Sequence, residues 1–189
     1  MIIGLSGYAR SGKDETAKAL GEWGWRREGF ADPLRAFLLA VDPLIPGAPD
    51  GGPYRLSLLV EAYGWERVKD EFPEVRALLQ RTGTEAGRTI LGGDVWINAL
   101  FRDHEVGEKL VIPDVRFPNE AMAIRSRGGV VLRIERLGVE PAVGEDGEVH
   151  DSETALDDWA FDGRIHNDGT IEDLRDAVHG ELQWVAQLH

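Results

Sequence analysis

Met1-Ile2-Ile3-Gly4-Leu5-Ser6-Gly7-Tyr8-Ala9-Arg10-Ser11-Gly12-Lys13-Asp14 is the stretch on which the fold turns. The apolar run Met1 to Leu5 stops at Ser6-Gly7 and reads as a buried strand entering a turn. Gly12 to Leu20 then reads as a helix with Ala17 and Leu20 on its apolar face. The connection, Gly7 to Lys13, fits G-x-x-x-x-G-K, a loop that cradles phosphate. Its glycines permit a tight turn that aims N–H groups inward, and the helix dipole favours an anion there. Gly7, Arg10, Ser11, Gly12 and Lys13 are therefore the expected nucleotide contacts, with Lys13 reaching the β- and γ-phosphates. Position 14 departs from the motif, which places a Ser or Thr hydroxyl on Mg²⁺; here it is Asp14. A carboxylate is a hard ligand that suits Mg²⁺, but an Asp at a helix start also suits the dipole, and both readings stay open.

Working outward, Leu110-Val111-Ile112 is a strand ending at Pro113-Asp114, and Val130 to Ile134 is another. Trp25–Phe30 is a weaker strand candidate, and Gly163–His166 a last short one. Helices are expected from Pro33 to Val41, over Ser57–Thr82 with breaks near Gly64 and Pro73, and over Asp94–His104. Asn119 to Arg127, closed by Gly128-Gly129, and Ile171 to Leu188, capped by Asp168 or Thr170, complete the set. Asp42 to Tyr54 holds four prolines and three glycines and reads as a loop; Leu137 to His150 is a flexible, Gly- and acid-rich loop. Strands alternating with helices imply an α/β fold whose parallel sheet is covered on both faces. Ligands of such sheets sit beyond the carboxyl ends of the strands, which selects Ser6–Lys13 and Asp114–Phe117.

The 189 residues suit a single domain, 1–189, able to bury a core without staples. The absence of cysteine excludes disulfides, a thiol nucleophile and Cys-ligated metal. No apolar run approaches a membrane span, and the N-terminus lacks the basic flank of a signal peptide, so a cytoplasmic, membrane-free protein is expected. A formal charge of −13 repels phosphate backbones and argues against a nucleic-acid partner. Any anion site must be built locally from backbone N–H groups and from cations, of which seventeen are Arg and four Lys.

Several further segments carry a resemblance. Gly7-x-x-Arg10-Ser11-Gly12-Lys13-Asp14 resembles the loop of phage deoxynucleoside monophosphate kinases, in which Asp likewise replaces the hydroxyl residue. Leu79-Gln80-Arg81-Thr82-Gly83-Thr84-Glu85 through Arg88 is similar to that family's Leu-Gln-x-x-Gly-Thr-Glu segment. Asp114-Val115-Arg116-Phe117-Pro118-Asn119-Glu120 is similar to its Asp-Val-Arg-Phe-x-Asn-Glu box, and His150-Asp151-Ser152-Glu153 and Asn167-Asp168-Gly169 to its closing motifs. Glu15 stands where the family has Thr, and Thr16 follows it; both join the expected nucleotide contacts. The resemblance implies a three-layer P-loop kinase fold: a five-stranded parallel sheet flanked by helices, with mobile substrate-binding helices (about 42–105) and a lid (about 136–155). It implies transfer of the γ-phosphoryl group of ATP, with Mg²⁺, to a deoxynucleoside monophosphate; a related small-molecule kinase of the phosphomevalonate kinase kind, or a non-catalytic nucleotide switch, is the alternative. Small nucleotides are the implied partners, and a homodimer is compatible with the sequence.

Phosphoryl transfer needs positioning and positive charge more than covalent chemistry. Asp114, at a strand end, is placed to hold Mg²⁺ with Asp14, and Arg116 to bridge donor and acceptor phosphates; Asn119-Glu120 read as a helix start. Arg133 and Arg136 flank Ile134-Glu135 at the end of another strand, where lid arginines close on the transferred group. Asp32 and Arg35 at a helix start suit the acceptor phosphate. Gln80, Arg81, Thr84, Glu85 and Arg88 suit a base or sugar, with Arg81 and Arg88 on nearly one helix side if no break intervenes. Trp96 suits stacking on a base or plain packing, and His150 a substrate contact or a surface role.

Overall fold

The computed structural model describes residues 1–47, 52–105, 107–142, 149 and 151–185. In chain order the elements are β1 (Ile2–Ser6), α1 (Lys13–Glu22), β2 (Arg26–Arg27), α2 (Ala31–Val41), β3 (Leu44–Ile45), β4 (Tyr54–Arg55), α3 (Leu56–Glu71) and α4 (Pro73–Gln80). A π-helix (Arg81–Leu91), α5 (Val95–Leu100), a 3₁₀ turn (Phe101–Asp103), β5 (Leu110–Ile112), α6 (Pro118–Arg125), β6 (Val130–Glu135), α7 (Asp151–Thr154), β7 (Gly163–His166) and α8 (Ile171–Val185) follow. The chain divides into two compact units, Met1–Gly29 with Asp103–His189, and Phe30–Arg102.

The first unit holds a five-stranded sheet in the order β2-β5-β1-β6-β7, with every pairing parallel. β1 is buried along its whole length, as an apolar central strand must be. Ile3 lies opposite Val111 on one side and Val130 on the other. Ile3 and Leu5 face a core with Ala17 and Leu20 of α1 and Leu174 and Val178 of α8. Gly4 points to the other face, where Ile124 of α6 and Val115 press so close that a Cβ would meet them at 2.6 and 2.8 Å. Helices on both faces of a parallel sheet, with a phosphate loop after the central strand, make this the P-loop kinase fold. Because all five strands run the same way, the loops after β1, β5, β6 and β7 emerge at one edge.

The second unit is helical, with Leu34, Leu38, Ile45, Leu56, Val68 and Val75 in its core. Helix α3 is interrupted at Gly64 (φ 75°, ψ 158°) and α4 opens with Pro73, as the sequence predicts. The expected loop over Asp42–Tyr54 contains a two-stranded antiparallel ribbon instead, Leu44 opposite Arg55 and Ile45 opposite Tyr54. Strands two residues long show no alternation to read, and the buried Ile45 is what anchors the ribbon. The strand expected over Trp25–Phe30 shrinks to Arg26–Arg27, because β5 offers only three residues and the chain enters α2 at Ala31. The helix expected over Asp94–His104 is α5 plus the single 3₁₀ turn. Among the described residues no helix is long and apolar enough to cross a membrane.

The close approach at Gly4 is testable. Gly4→Ala should lower stability by about 1–3 kcal/mol, the usual cost of overpacking. Ile124→Val, which removes the nearest methyl group, should recover part of that loss in the double variant. Chemical denaturation of the four proteins measures both; additive losses would show that the two residues do not share the space.

Candidate functional site

Gly7 opens the phosphate loop at φ 144°, and a Cβ there would collide with the Ile134 carbonyl of β6. The loop turns through Arg10 (φ 66°) and Gly12 (φ 112°) into α1. Gly12 lies against the side chain of Asn167, whose Nδ2 donates to the Ser11 carbonyl at 2.8 Å. Asn167 follows β7, so two strand-end loops are tied directly. Ser11 and Thr16 are buried, and neither hydroxyl has a hydrogen-bond partner among the described residues. Unsatisfied buried hydroxyls ask for a ligand or for water.

Lys13 Nζ folds back on its own loop and donates to the carbonyls of Gly7 and Tyr8, both at 2.6 Å. Burial lowers its pKa to about 8, assisted by the positive charge of Arg116 and, less, of Arg133; Glu153 and Asp14 oppose the shift. Arg116, after β5, is fixed at both ends. Its backbone N–H donates to Glu120 Oε2 at 2.8 Å, and its Nη1 donates to Glu153 Oε1 at 2.7 Å and Ser152 Oγ at 3.2 Å. Glu120, almost fully buried, also accepts from the Phe117 N–H, which confirms it as a helix-start residue of α6. Arg133, nearly buried on β6, pairs with Asp157 at 2.9 Å and lies over the rings of Tyr8 (4.6 Å) and Phe161 (5.4 Å). Burial, and the hydrogen-bonded Asp157 carboxylate, raise the Tyr8 phenol above its ordinary value while Arg133 opposes them. A cavity of about 390 Å³ beside the loop is lined by Tyr8, Ser11, Arg133, Arg136, Asp157 and Arg164, among others.

Asp14 is 86% exposed at the start of α1 and pairs with Arg27 at 2.8 Å. Asp114 is half-buried, its carboxylate against Gly29, where a Cβ would come within 2.7 Å. Glu15 pairs with Lys18 at 3.7 Å. Among the described residues no three His, Asp or Glu side chains converge as a metal cage. A magnesium ion here would depend on phosphate oxygens for most of its shell, as Mg²⁺ usually does.

The first unit thus gathers Gly7, Arg10 to Thr16, Asp114, Arg116, Arg133 and Arg136 on loops at one sheet edge or on strand ends adjoining it. The remaining expected residues belong to the second unit. Arg35 pairs with Asp32 (3.4 Å) and Glu66 (3.5 Å) and lies over Trp65. Gln80 ends α4, while Arg81, Thr84, Glu85 and Arg88 lie on the π-helix. Its wide turns mean that seven residues fall short of two turns, so Arg81 and Arg88 do not share a side as they would on an unbroken α-helix. Trp96 is buried, its ring on Gly87 and its Nε1 donating to the Gly83 carbonyl at 2.9 Å. That contact fastens the π-helix to α5. A cavity of about 880 Å³ in this unit is lined by Phe37, Thr82, Ala86, Asp94 and Arg102, among others; of the expected acceptor residues only Trp96 borders it. His150 and positions 143–148 of the expected lid lie outside the described residues.

Sequence reasoning named Glu153 and Asn167 only within the closing motifs of the resemblance, without a site role, and passed over Tyr8 and Asp157. Asn167 was within reach of the strand-end rule, because it directly follows β7. Glu153 and Asp157 come from a segment with no local signal of its partners.

No family model matches the chain. Deoxynucleoside-5'-monophosphate kinase of Escherichia phage T5 is 26% identical over 75% of this chain and 78% of its own length. Putative deoxynucleotide monophosphate kinase of Acanthamoeba polyphaga mimivirus is 28% identical over the full length of both. The chain is a homologue of these two proteins. Among solved structures, dephospho-CoA kinase from Campylobacter jejuni superposes with a TM-score of 0.45 at 13% identity, over 97% of this chain and 96% of that one. A Thermus thermophilus protein superposes with a TM-score of 0.47 at 18% identity, over 97% of both.

The ammonium of Lys13 should titrate near 8 in NMR of its ε-carbon. Arg116→Ala removes a neighbouring cation and should move that midpoint up, as should inorganic pyrophosphate. A Lys13 midpoint near the ordinary 10.4 would refute the buried cation cluster.

Proposed function

We propose that this protein transfers the γ-phosphoryl group of ATP to a deoxynucleoside monophosphate, giving ADP and the deoxynucleoside diphosphate. The observation that carries the reading is the phosphate loop with Lys13 inside a cluster of cations, Arg116 and Arg133, at the carboxyl edge of a parallel sheet. In a protein of net charge −13, positive charge gathered at one sheet edge supports reading that edge as an anion site. The names of the two homologues supply the acceptor class.

In this reading the loop N–H groups and the Ser11 and Thr16 hydroxyls receive the phosphates of ATP. Lys13 leaves the Gly7 and Tyr8 carbonyls for the β- and γ-phosphates. The bond from the γ-phosphorus to the β,γ-bridging oxygen breaks as one forms to an acceptor phosphate oxygen, and Arg116 and Arg136 stabilise the charge in between. Asp14 and Asp114 are the carboxylates that would complete a Mg²⁺ shell; the exposed pair with Arg27 is weak enough to exchange. The ion supplies charge neutralisation between phosphates. Asp32, Arg35, Gln80, Arg81, Thr84, Glu85, Arg88 and Trp96 are the acceptor-side residues of the reading, with His150 beyond the described positions.

A coupled assay with a panel of deoxynucleoside monophosphates and phosphomevalonate tests it. ATP consumption should depend on a deoxynucleotide acceptor. Consumption independent of any acceptor, or driven by phosphomevalonate alone, would overturn the reading. Lys13→Ala should abolish turnover with the melting temperature near wild type. Arg116→Ala should lower kcat by roughly 10²–10³, the usual effect of losing a transition-state donor, with little change in KM for ATP.

The alkaline limb of kcat/KM for ATP should lie near pH 8, because that ratio reports the free enzyme and the lysine must be protonated to meet phosphate. The kcat limb should lie higher, since bound phosphates favour the ammonium form.

Asp14→Asn tests the metal ligand. It should weaken binding of Mg²⁺·ATP in calorimetry while leaving metal-free ATP unchanged or tighter, since a carboxylate beside phosphates repels them when no cation intervenes. Superimposable Mg²⁺ dependences of wild type and variant would leave Asp14 as a helix-start residue only.

A further inference from the structure

Arg116 leaves the end of β5 with its backbone pinned by buried Glu120, yet its side chain is 46% exposed. One nitrogen, Nη1, is engaged by Glu153 and Ser152 of α7. Among the described residues Nη2 and Nε have no protein partner. Glu153, by contrast, is only 11% exposed on its side chain. A largely desolvated carboxylate beside a half-exposed guanidinium holds the arginine rather than merely screening it. An arginine engaged along one edge keeps the rest of its fork free for a bidentate anion.

We propose that Glu153 is a positioning residue for phosphoryl transfer, fixing the Arg116 guanidinium by one edge so that the other stays open to phosphate beside the loop. The inference rests on the kinase reading above. It gives the short helix α7 a purpose that its sequence does not announce. Four residues form too short a helix to be stable alone, and pairing with Arg116 is one contact that anchors it. A free guanidinium on a flexible stem would instead sample many rotamers and lose most of its orientation at the moment of transfer.

The test is a kinetic cycle of Glu153→Gln, Arg116→Ala and the double variant, using the best acceptor of the panel. Glu153→Gln should lower kcat by about tenfold to a hundredfold, the range usual for residues that orient a reacting group, with KM for ATP within about twofold. Glu153→Asp, which keeps the charge, should recover part of kcat. The double variant should be no slower than Arg116→Ala alone, because Glu153 then has nothing left to position. Independent losses that multiply in the double variant would overturn the proposal. So would a Glu153→Gln protein with unchanged kcat and tighter ATP binding, which would make the carboxylate a counterion displaced by substrate. Gln is close in shape to Glu, and equal melting temperatures confirm that folding is intact. The same cycle read as affinity for ADP with aluminium fluoride, followed by tryptophan fluorescence, needs no acceptor. It separates failure of this inference from failure of the kinase reading, which the acceptor panel reports on wild type alone.

Discussion

Everything at the candidate site follows from holding a lysine and two arginines close together at one sheet edge. Lys13 is partly desolvated and has arginines for neighbours, and each circumstance disfavours its charge. The fold answers with acceptors rather than by discharging the lysine. Two loop carbonyls accept its hydrogen bonds, Glu153 stands against Arg116, and Asp157 stands against Arg133.

The parallel sheet is what makes the cluster unavoidable. With β1 central and β5 and β6 on either side, the loops after the three strands cannot separate. Side chains then stitch one loop to the next. Asn167 joins the end of β7 to the phosphate loop, and Asp162 joins the stretch before β7 to Arg125 of α6 and to the Val131 N–H of β6. Glu120 secures the turn after β5 from within α6. These are buried or half-buried polar contacts, so losing one partner leaves another group unsatisfied, which typically costs about 1–3 kcal/mol. The rigidity of the edge therefore comes from polar groups, and the bulk of stability from the apolar faces of β1 and its neighbours.

The parts of this arrangement that were legible in the sequence are those with local causes. The run Met1–Leu5, the loop Gly7–Lys13, the strands Leu110–Ile112 and Val130–Ile134, and the breaks at Gly64 and Pro73 each carry their own signal. The ribbon of β3 and β4 was hidden because two residues cannot display a period. The π-helix carries no period of its own in the sequence, and its contact with Trp96, whose indole N–H donates to the Gly83 carbonyl while the ring lies on Gly87, comes from several residues downstream. Glu153 and Asp157 were hidden for a related reason: what they do depends on Arg116 and Arg133, set far back in the chain. Pairings between distant positions leave no pattern in a single sequence, whereas a phosphate loop does.

The arginines of the first unit, alike in sequence, are separated by what already holds them. Arg133 is buried, paired with Asp157 and sandwiched near Tyr8 and Phe161, so its fork is largely committed to protein. It adds positive potential beside the phosphate loop and steadies Tyr8, while its partner Asp157 remains about one third exposed. Arg116 is paired on one nitrogen and half exposed, so it can meet an anion without surrendering its partner. Lys13 could not take either place, because a point charge on a flexible stem is not held in orientation by a single carboxylate. Nor could an arginine fold back on the Gly7 and Tyr8 carbonyls within the same turn of the loop, since a compact ammonium can donate to both at short range. The division between one lysine on the loop and arginines at the neighbouring strand ends is thus a consequence of donor geometry, and it places the adaptable charge on the phosphates and the oriented charge beside them.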